Sequence, residues 1–168
     1  PGPTRQHHCG DKISQDPCRL PVIGFGGITT VFFTSDAALG TVGVHATKDK
    51  SSMSAIESIL EYIRQSNAYQ RLGITRPKIL KTDSEAIYTS ETFLEWMRLG
   101  NSKTELSAPY HHRQNSQIER VIGVLWRSAV SMMHNAIDFK PTSGRNRDEF
   151  FHYALQHAAL IDSCLKPN

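Results

Sequence analysis

Three carboxylates stand where predicted secondary-structure elements end or begin. Asp16 ends a predicted first strand, Asp83 ends the predicted strand KILKTD, and Glu119 lies in the first turn of a predicted long helix. Strand ends and helix starts are where α/β proteins place their sites. Three converging carboxylates repel one another, so a convergent set indicates hard divalent cations, most simply Mg²⁺ or Mn²⁺. A pair of such ions is suited to in-line displacement at phosphorus.

The charge around Glu119 is predominantly basic. Between Leu106 and Ile137 Glu119 is the single acid, while the net charge of the whole chain is only +3. The basic and histidine side chains of this stretch are Arg113, Arg120, Arg127, His111, His112 and His134. Arg120 and Arg127 are seven residues apart, so a helix places them on one face. This pattern favours contact with a phosphate backbone, although a solvated helix face remains the alternative.

Each acid also has a structural alternative. Glu119 follows Ser116 at capping-box spacing, so both side chains could cap the long helix. Asp83 could be an ordinary turn residue. Asp11 lies close to Asp16 and competes with it for the role of first acid. Spacing alone therefore leaves the choice between catalysis and capping open.

Length and composition exclude several classes of protein. With 168 residues and 39% hydrophobic residues, the chain is long enough for one domain with a full core. No apolar run approaches the ~20 residues of a membrane helix, and we expect no secretory leader and no membrane partner. Three cysteines cannot build a disulfide framework, which favours a reducing compartment. The segment His7–Cys9 has no second cysteine or histidine pair at zinc-finger spacing, so we interpret it as polar linker.

The hydrophobic pattern predicts a mixed α/β sheet. The predicted strands are 12–16, stopped by Pro17, then 28–35, 41–47, 77–83 and 103–107. The predicted helices are 52–66, 91–99 with Phe93, Leu94 and Met97 inside, 116–135 and 147–164. Three strands precede the first helix and predict an antiparallel meander, whereas helical crossovers predict parallel pairing of the later strands. Residues 1–10 are expected to be a linker from an upstream segment, and 11–168 a single domain.

A family resemblance gives these positions a context. The string PYHHRQNSQIERVIGVLWRSAVSMM at 109–133 resembles the signature of copia-type retrotransposon integrases, in the retroviral-type integrase superfamily. The matched positions are Pro109, Tyr110, Gln114, Asn115, Glu119 and Arg120. Thr82-Asp83 matches the second carboxylate of the family, with 35 residues between Asp83 and Glu119. Upstream, Asp16, Gly26, Gly27, Asp36 and Lys50-Ser51 occupy positions that resemble the opening of the family core.

The resemblance implies a fold and an activity. It implies an RNase H-like mixed five-stranded sheet flanked by helices, with Asp16, Asp83 and Glu119 holding two Mg²⁺ or Mn²⁺ ions. The implied reactions are 3′-end processing and strand transfer on double-stranded DNA. The resemblance also implies a homo-oligomer that acts in the nucleus and is part of a larger polyprotein. The implied DNA-binding residues are Lys81, His111, His112, Arg113, Gln114, Asn115, Arg120 and Arg127.

Two departures from the family pattern support a second interpretation. Glu85 stands where the family usually has glycine, and Pro17 directly follows Asp16. A catalytically degenerate or domesticated core that binds DNA or protein is therefore the alternative function.

Overall fold

The computed structural model describes residues 8–107, 116–136 and 145–165. A five-stranded sheet forms its centre, with the strand order β3-β2-β1-β4-β5. The strands are β1 (Lys12–Gly24), β2 (Ile28–Asp36), β3 (Val42–Thr47), β4 (Ile79–Thr82) and β5 (Lys103–Leu106). β1 pairs with β2 and β2 with β3 in antiparallel fashion, whereas β1–β4 and β4–β5 are parallel. The predicted meander and the predicted parallel additions are both confirmed.

Six helices flank the sheet within the described part of the chain. They are α1 (Ser52–Gln65), α2 (Asn67–Leu72), α3 (Ala86–Thr89), α4 (Glu91–Leu99), α5 (Ser116–Asn135) and α6 (Phe151–Leu165). A 3-10 helix, Arg147–Phe150, leads into α6, so the predicted helix at 147–164 is helical but changes type. The sequence pattern missed α2 and α3, because neither contains enough residues to show a helical period.

The first strand is longer than the sequence predicted. β1 continues through Pro17 to Gly24, although Pro17 was expected to end it. The carbonyl of Asp11 faces β4, because it accepts a hydrogen bond from the N–H of Ile79. The backbone polar groups of every second residue of a strand point to the same side, so the nitrogen of Pro17 faces the side of β4 as well. β4 pairs only as far as Ser14, so a residue without an N–H group removes no ladder hydrogen bond there.

The sheet buries one hydrophobic cluster on each face. The first cluster joins β1, β2 and β4 to helices α1 to α4 and includes Ile13, Phe32, Ile59, Tyr69, Leu80 and Phe93. The second joins β2 and β3 to α5 and α6 and includes Val31, Phe33, Ile118, Leu125, Ala129 and Leu155. Trp126 packs edge-on against Phe151, with 5.0 Å between ring centroids. Leu94 was expected inside but is 46% exposed, because α4 turns Phe93 and Met97 to the core.

A buried carboxylate joins three parts of the first cluster. Asp36, at the end of β2, is 1% exposed. It accepts hydrogen bonds from the Gly10 N–H (2.8 Å), from the Ala38 N–H (2.6 Å) and from the Tyr69 hydroxyl (2.6 Å). Buried charges persist only when they are hydrogen-bonded in this way. Asp36 therefore holds the segment before β1, the turn after β2 and helix α2 together.

Replacing Tyr69 with phenylalanine tests this arrangement. The change leaves the ring in place and removes one donor from a buried carboxylate, so Tyr69→Phe should lower the free energy of unfolding by about 1.5–3 kcal/mol. Urea denaturation measures the loss. The matched control is Tyr62→Phe, whose hydroxyl bonds the hydroxyl of Thr41 at 2.8 Å, and a neutral bond should cost about 0.5–1.5 kcal/mol. Equal losses in the two variants would contradict the special role of Asp36.

Candidate active site

The parallel pairing of β1 and β4 places two aspartates side by side. Ser14 of β1 lies opposite Lys81 of β4 in the register. Asp16 lies two residues further along β1, and Asp83 directly follows the end of β4, so a continuation of this register gives the two aspartates equivalent positions beside each other. Neighbouring strands are about 4.8 Å apart, and residues two apart share a face. The sheet therefore brings together two carboxylates that are far apart in the sequence.

Helix α5 supplies the third carboxylate on the same face. Leu80 belongs to the cluster under α1 to α4, so Lys81 and Asp83 point to the opposite face, which α5 covers. α5 is anchored there by Ile118, which is 2% exposed. Glu119 follows it in the first turn, and its side chain is exposed. The side chain of Ser116 lies outside the described residues, so the capping-box alternative stays open.

The pKa of Asp16 is shifted by burial and by the charges of other acids. The pKa of Asp16 is raised to about 6, first by burial and then by the negative charges of Asp83, Glu85 and Glu119. The positive charge of Lys50 acts in the opposite direction. Burial raises the pKa of Asp83 as well, with a further contribution from Glu85. Excess negative charge is therefore concentrated at the end of β1.

Two charged residues at this place were not predicted as site residues. Lys50 lies between β3 and α1, and its ammonium group is 2.6 Å from the carboxylate of Glu85. The backbone N–H of Glu85 approaches a carboxylate oxygen of Asp83 at 3.4 Å. The sequence signalled Glu85 only as a departure from the family glycine. Nothing in its spacing from Lys50 indicated an ion pair, because non-local pairs depend on the tertiary fold.

The hydroxyl of Tyr88 is buried within the electrostatic influence of the acids. Tyr88 of α3 is 0% exposed, and its hydroxyl has no hydrogen-bond partner among the described residues. Its pKa is raised well above the usual range, first by burial and then by Asp16, Asp83 and Glu85. Buried polar atoms normally have a partner, so an orphaned hydroxyl beside an acid group is consistent with a polar ligand or water at this place.

The donor chemistry fits a hard divalent cation. Carboxylate oxygens are the ligands that Mg²⁺ and Mn²⁺ prefer, and a cation would compensate the charge that raises the pKa of Asp16. Within the described ranges, no three histidine, cysteine, aspartate or glutamate side chains come close enough together to form a metal-binding group. Asp83 and Glu119 thus both act on the charge of Asp16, although the three carboxylates do not converge on one point.

The remaining predicted site residues divide into three groups. Arg120 and Arg127 are exposed on α5, as a DNA-contacting face requires. Lys81 lies beside Lys12 and Glu105, and burial followed by the charge of Lys12 lowers its pKa. Lys81 is not among the groups that act on Asp16 or Asp83. The third group lies outside the described residues and comprises His111, His112, Arg113, Gln114 and Asn115.

Asp11, the competitor for the first acid, lies near the start of β1. Its carboxylate is 2.7 Å from the ammonium group of Lys78, and that bond is the main cause of its lowered pKa. Asp16, by contrast, is the aspartate whose pKa is raised by Asp83 and Glu119, and its role as the first acid stays a prediction. Nearby, Cys9 packs partly buried against the first cluster, and Gly10 donates to Asp36. Residues 8–10 thus contact the fold.

Comparison with viral polyproteins supports the resemblance. No protein-family model matches the chain. The Pro-Pol polyprotein of feline foamy virus is 31% identical over 94 residues, which are 56% of this chain and 7% of that protein. The Pro-Pol polyprotein of simian foamy virus type 1 is 28% identical over 100 residues, or 60% of this chain and 8% of that protein. The chain therefore spans less than a tenth of the curated relatives that it matches.

Solved structures decide the fold. The chain superimposes with a TM-score of 0.71 on a simian T-cell lymphotropic virus intasome bound to the PP2A regulatory subunit B56 gamma, at 18% identity over 95% of this chain and 50% of that one. For the catalytic core domain of BIV integrase the TM-score is 0.65, at 11% identity over 95% of this chain and 87% of that one. The chain has the fold of the retroviral integrase catalytic core. For the HTLV-2 integrase catalytic core, solved in complex with magnesium, the TM-score is 0.59, at 16% identity over 87% of this chain and 82% of that one.

This integrase core fold confirms the predicted fold class. It is an RNase H-like mixed five-stranded sheet flanked by helices, so the predicted resemblance to retroviral-type integrases is confirmed at the level of the fold. The comparisons do not separate a copia-type element from a retrovirus. No helix among the described residues is both long enough and apolar enough to span a bilayer.

The raised pKa of Asp16 predicts a pH dependence of stability. The pKa of an unfolded aspartate is ~3.9 and that of the folded Asp16 is about 6, so the folded state binds more protons between these pH values. The free energy of unfolding should therefore fall as the pH rises from about 4 to about 6. Asp16→Asn removes this loss, so the free energy of unfolding of the variant should rise by about 2–3 kcal/mol relative to that of the unsubstituted chain across this pH range.

Thermal or urea unfolding between pH 3.5 and pH 7.5 measures the difference curve. Asp11→Asn is the control, because the lowered pKa of Asp11 gives a contribution of the opposite sign, which is lost as the pH falls. A difference between the unsubstituted chain and Asp16→Asn that stays constant with pH would contradict the burial of Asp16 among acids.

Proposed function

We propose that this chain is an integrase catalytic core that transfers phosphoryl groups between DNA strands. The observation that carries the proposal is that Asp16 and Asp83 lie on the sheet face that α5 covers, in a fold shared with retroviral integrase cores. Water attacks a phosphodiester near the 3′ end of the element DNA and releases a free 3′-OH. That 3′-OH then attacks a phosphodiester of the target and displaces its 3′ oxygen.

Asp16, Asp83 and Glu119 hold the cofactor in this proposal, which is two Mg²⁺ or Mn²⁺ ions. When bound, such ions lower the pKa of water and stabilise charge on the attacking and leaving oxygens. The magnesium in the HTLV-2 core supports this choice. The sheet fixes the two aspartates relative to each other, and the buried anchor Ile118 fixes Glu119. A rigid frame of this kind is what positioned catalysis requires.

The DNA lies along α5 and the segment that precedes this helix in the sequence. Arg120 directly follows Glu119, and Arg127 is exposed two turns further along the same helix. Guanidinium groups bind phosphate oxygens through charge-assisted hydrogen bonds. Residues His111 to Asn115 contact the same DNA backbone in this proposal, whereas Lys81 approaches from β4.

Assembly and context follow from the relatives. HTLV-2 integrase cores are described in dimeric and trimeric forms, and the simian T-cell lymphotropic virus protein in an intasome. We propose that this chain also works as a homo-oligomer on DNA in the nucleus. The Pro-Pol relatives indicate release from a larger polyprotein.

A catalytically degenerate core that only binds DNA or protein is the second candidate. The Lys50–Glu85 ion pair favours it, because it adds a fourth carboxylate and a base at a place where the family usually has glycine.

Strand joining on branched DNA separates the two candidates. In Mn²⁺ or Mg²⁺, Glu119→Gln should lose about 10²-fold or more of the activity, because it removes one of three anionic ligands. Glu57→Gln, on the exposed side of α1, is the matched control and should retain activity. Equal rates for Glu119→Gln and the unsubstituted chain would refute the site. An inactive unsubstituted chain whose melting temperature Mg²⁺ does not raise would establish the binding-only alternative.

The proposed DNA face makes a separate prediction about salt. Arg120→Ala and Arg127→Ala should each weaken binding to DNA of any sequence and reduce the slope of log K against log[salt] by about 1. Fluorescence anisotropy across a salt series measures the slope. Arg98→Ala on α4 is the control, because Arg98 is engaged with Glu95 at 2.7 Å. A slope that Arg127→Ala leaves unchanged would exclude this helix face from the interface.

A further inference from the structure

Four carboxylates, rather than three, lie around the end of β1. Asp16 senses the charges of Asp83, Glu85 and Glu119, and the positive charge of Lys50 acts in the opposite direction. Lys50 and Glu85 form a close ion pair, with 2.6 Å between nitrogen and oxygen. Their side chains are 28% and 31% exposed, so the pair is shielded from solvent more than ordinary surface pairs are. Such partly buried pairs are screened less by salt than exposed ones.

The backbone of Glu85 already lies at the acid group. Its N–H approaches the carboxylate of Asp83 at 3.4 Å, and Glu85 is separated from Asp83 by one residue. The side chain of Glu85 nevertheless reaches towards Lys50, which lies between β3 and α1. The connection between β3 and α1 and the connection between β4 and α3 are therefore joined through the carboxylate of Glu85.

We infer that Lys50 is a positioning residue: it engages the carboxylate of Glu85 in an ion pair beside the acids of the proposed metal site, keeps that carboxylate from binding the metal, and thereby sets which divalent cation the site selects. The inference rests on the proposed function. Mg²⁺ requires six-fold octahedral geometry, keeps several waters and takes one or two protein carboxylates, whereas Ca²⁺ accepts six to eight oxygen ligands in flexible geometry. A released Glu85 adds a carboxylate ligand, which favours Ca²⁺. The ion pair with Lys50 keeps the ligand number low, which favours Mg²⁺.

A double-mutant cycle on cation binding tests this role. Isothermal titration of the purified chain with Mg²⁺ and with Ca²⁺ gives two dissociation constants for each variant, without any activity assay. Lys50→Met frees Glu85 and should raise the preference for Ca²⁺ over Mg²⁺ by about tenfold. Glu85→Gln should weaken the binding of both cations, because the positive charge of Lys50 is then no longer neutralised. It should leave the preference unchanged, because no fourth carboxylate is present. The double variant Lys50→Met/Glu85→Gln should return to the original preference.

Control variants keep every result interpretable. Lys50→Arg retains the positive charge and should retain the original preference, and Lys50→Gln replaces Lys50→Met if the latter does not fold. An equal gain for both cations in Lys50→Met would show that Lys50 acts only through its charge, and would overturn the inference. An unchanged preference would overturn it as well. Both results leave the proposed function standing, provided that Asp83→Asn abolishes binding. Failure of the unsubstituted chain to bind either cation would refute the proposed function, and this inference with it.

Discussion

The parallel pairing of β1 with β4 covers three residues on each strand, and the position of both aspartates depends on it. Side chains alternate along a strand, so a slip of one residue in this register would turn Asp83 to the opposite face of the sheet. Ile13 and Leu80, which face each other in the register and are both fully buried, oppose such a slip. The hydrophobic contacts under α1 to α4 thus determine the geometry of charged groups on the other face.

Charge balance is the second constraint on the same region. Partial burial raises the free energy of an ionised carboxylate, and each further acid raises it again. At Asp16 the charges of Asp83, Glu85 and Glu119 are opposed by that of Lys50, and the pKa of Asp16 is nevertheless raised. Asp36, in contrast, is fully buried yet surrounded by hydrogen-bond donors. The fold satisfies its structural carboxylate and leaves the carboxylates of the candidate site short of positive partners, as an ion-binding site would.

The sequence predicted the strands, their senses and the long helices, because hydrophobic alternation and helical period report burial directly. It failed where local rules met tertiary context. Pro17 continues β1 because its nitrogen faces a side without a partner strand. Leu94 fits the apolar period of α4 yet is exposed. At the candidate site, Asp83 and Glu119 stood out through their family motif, but the Lys50–Glu85 pair joins residues 35 positions apart and depended on the fold.

The order of the strands has a kinetic consequence. β1, β2 and β3 are consecutive and pair as hairpins, which close short loops and form quickly. β4 enters the sheet beside β1 only after two helices, and α5 covers the sheet later still in the chain. Asp16 therefore belongs to the early, local part of the sheet, whereas its partners arrive through long-range contacts, which form slowly. During synthesis on the ribosome, we expect the acids to meet only when β1, β4 and α5 have all emerged, so that partly made chains carry no assembled site.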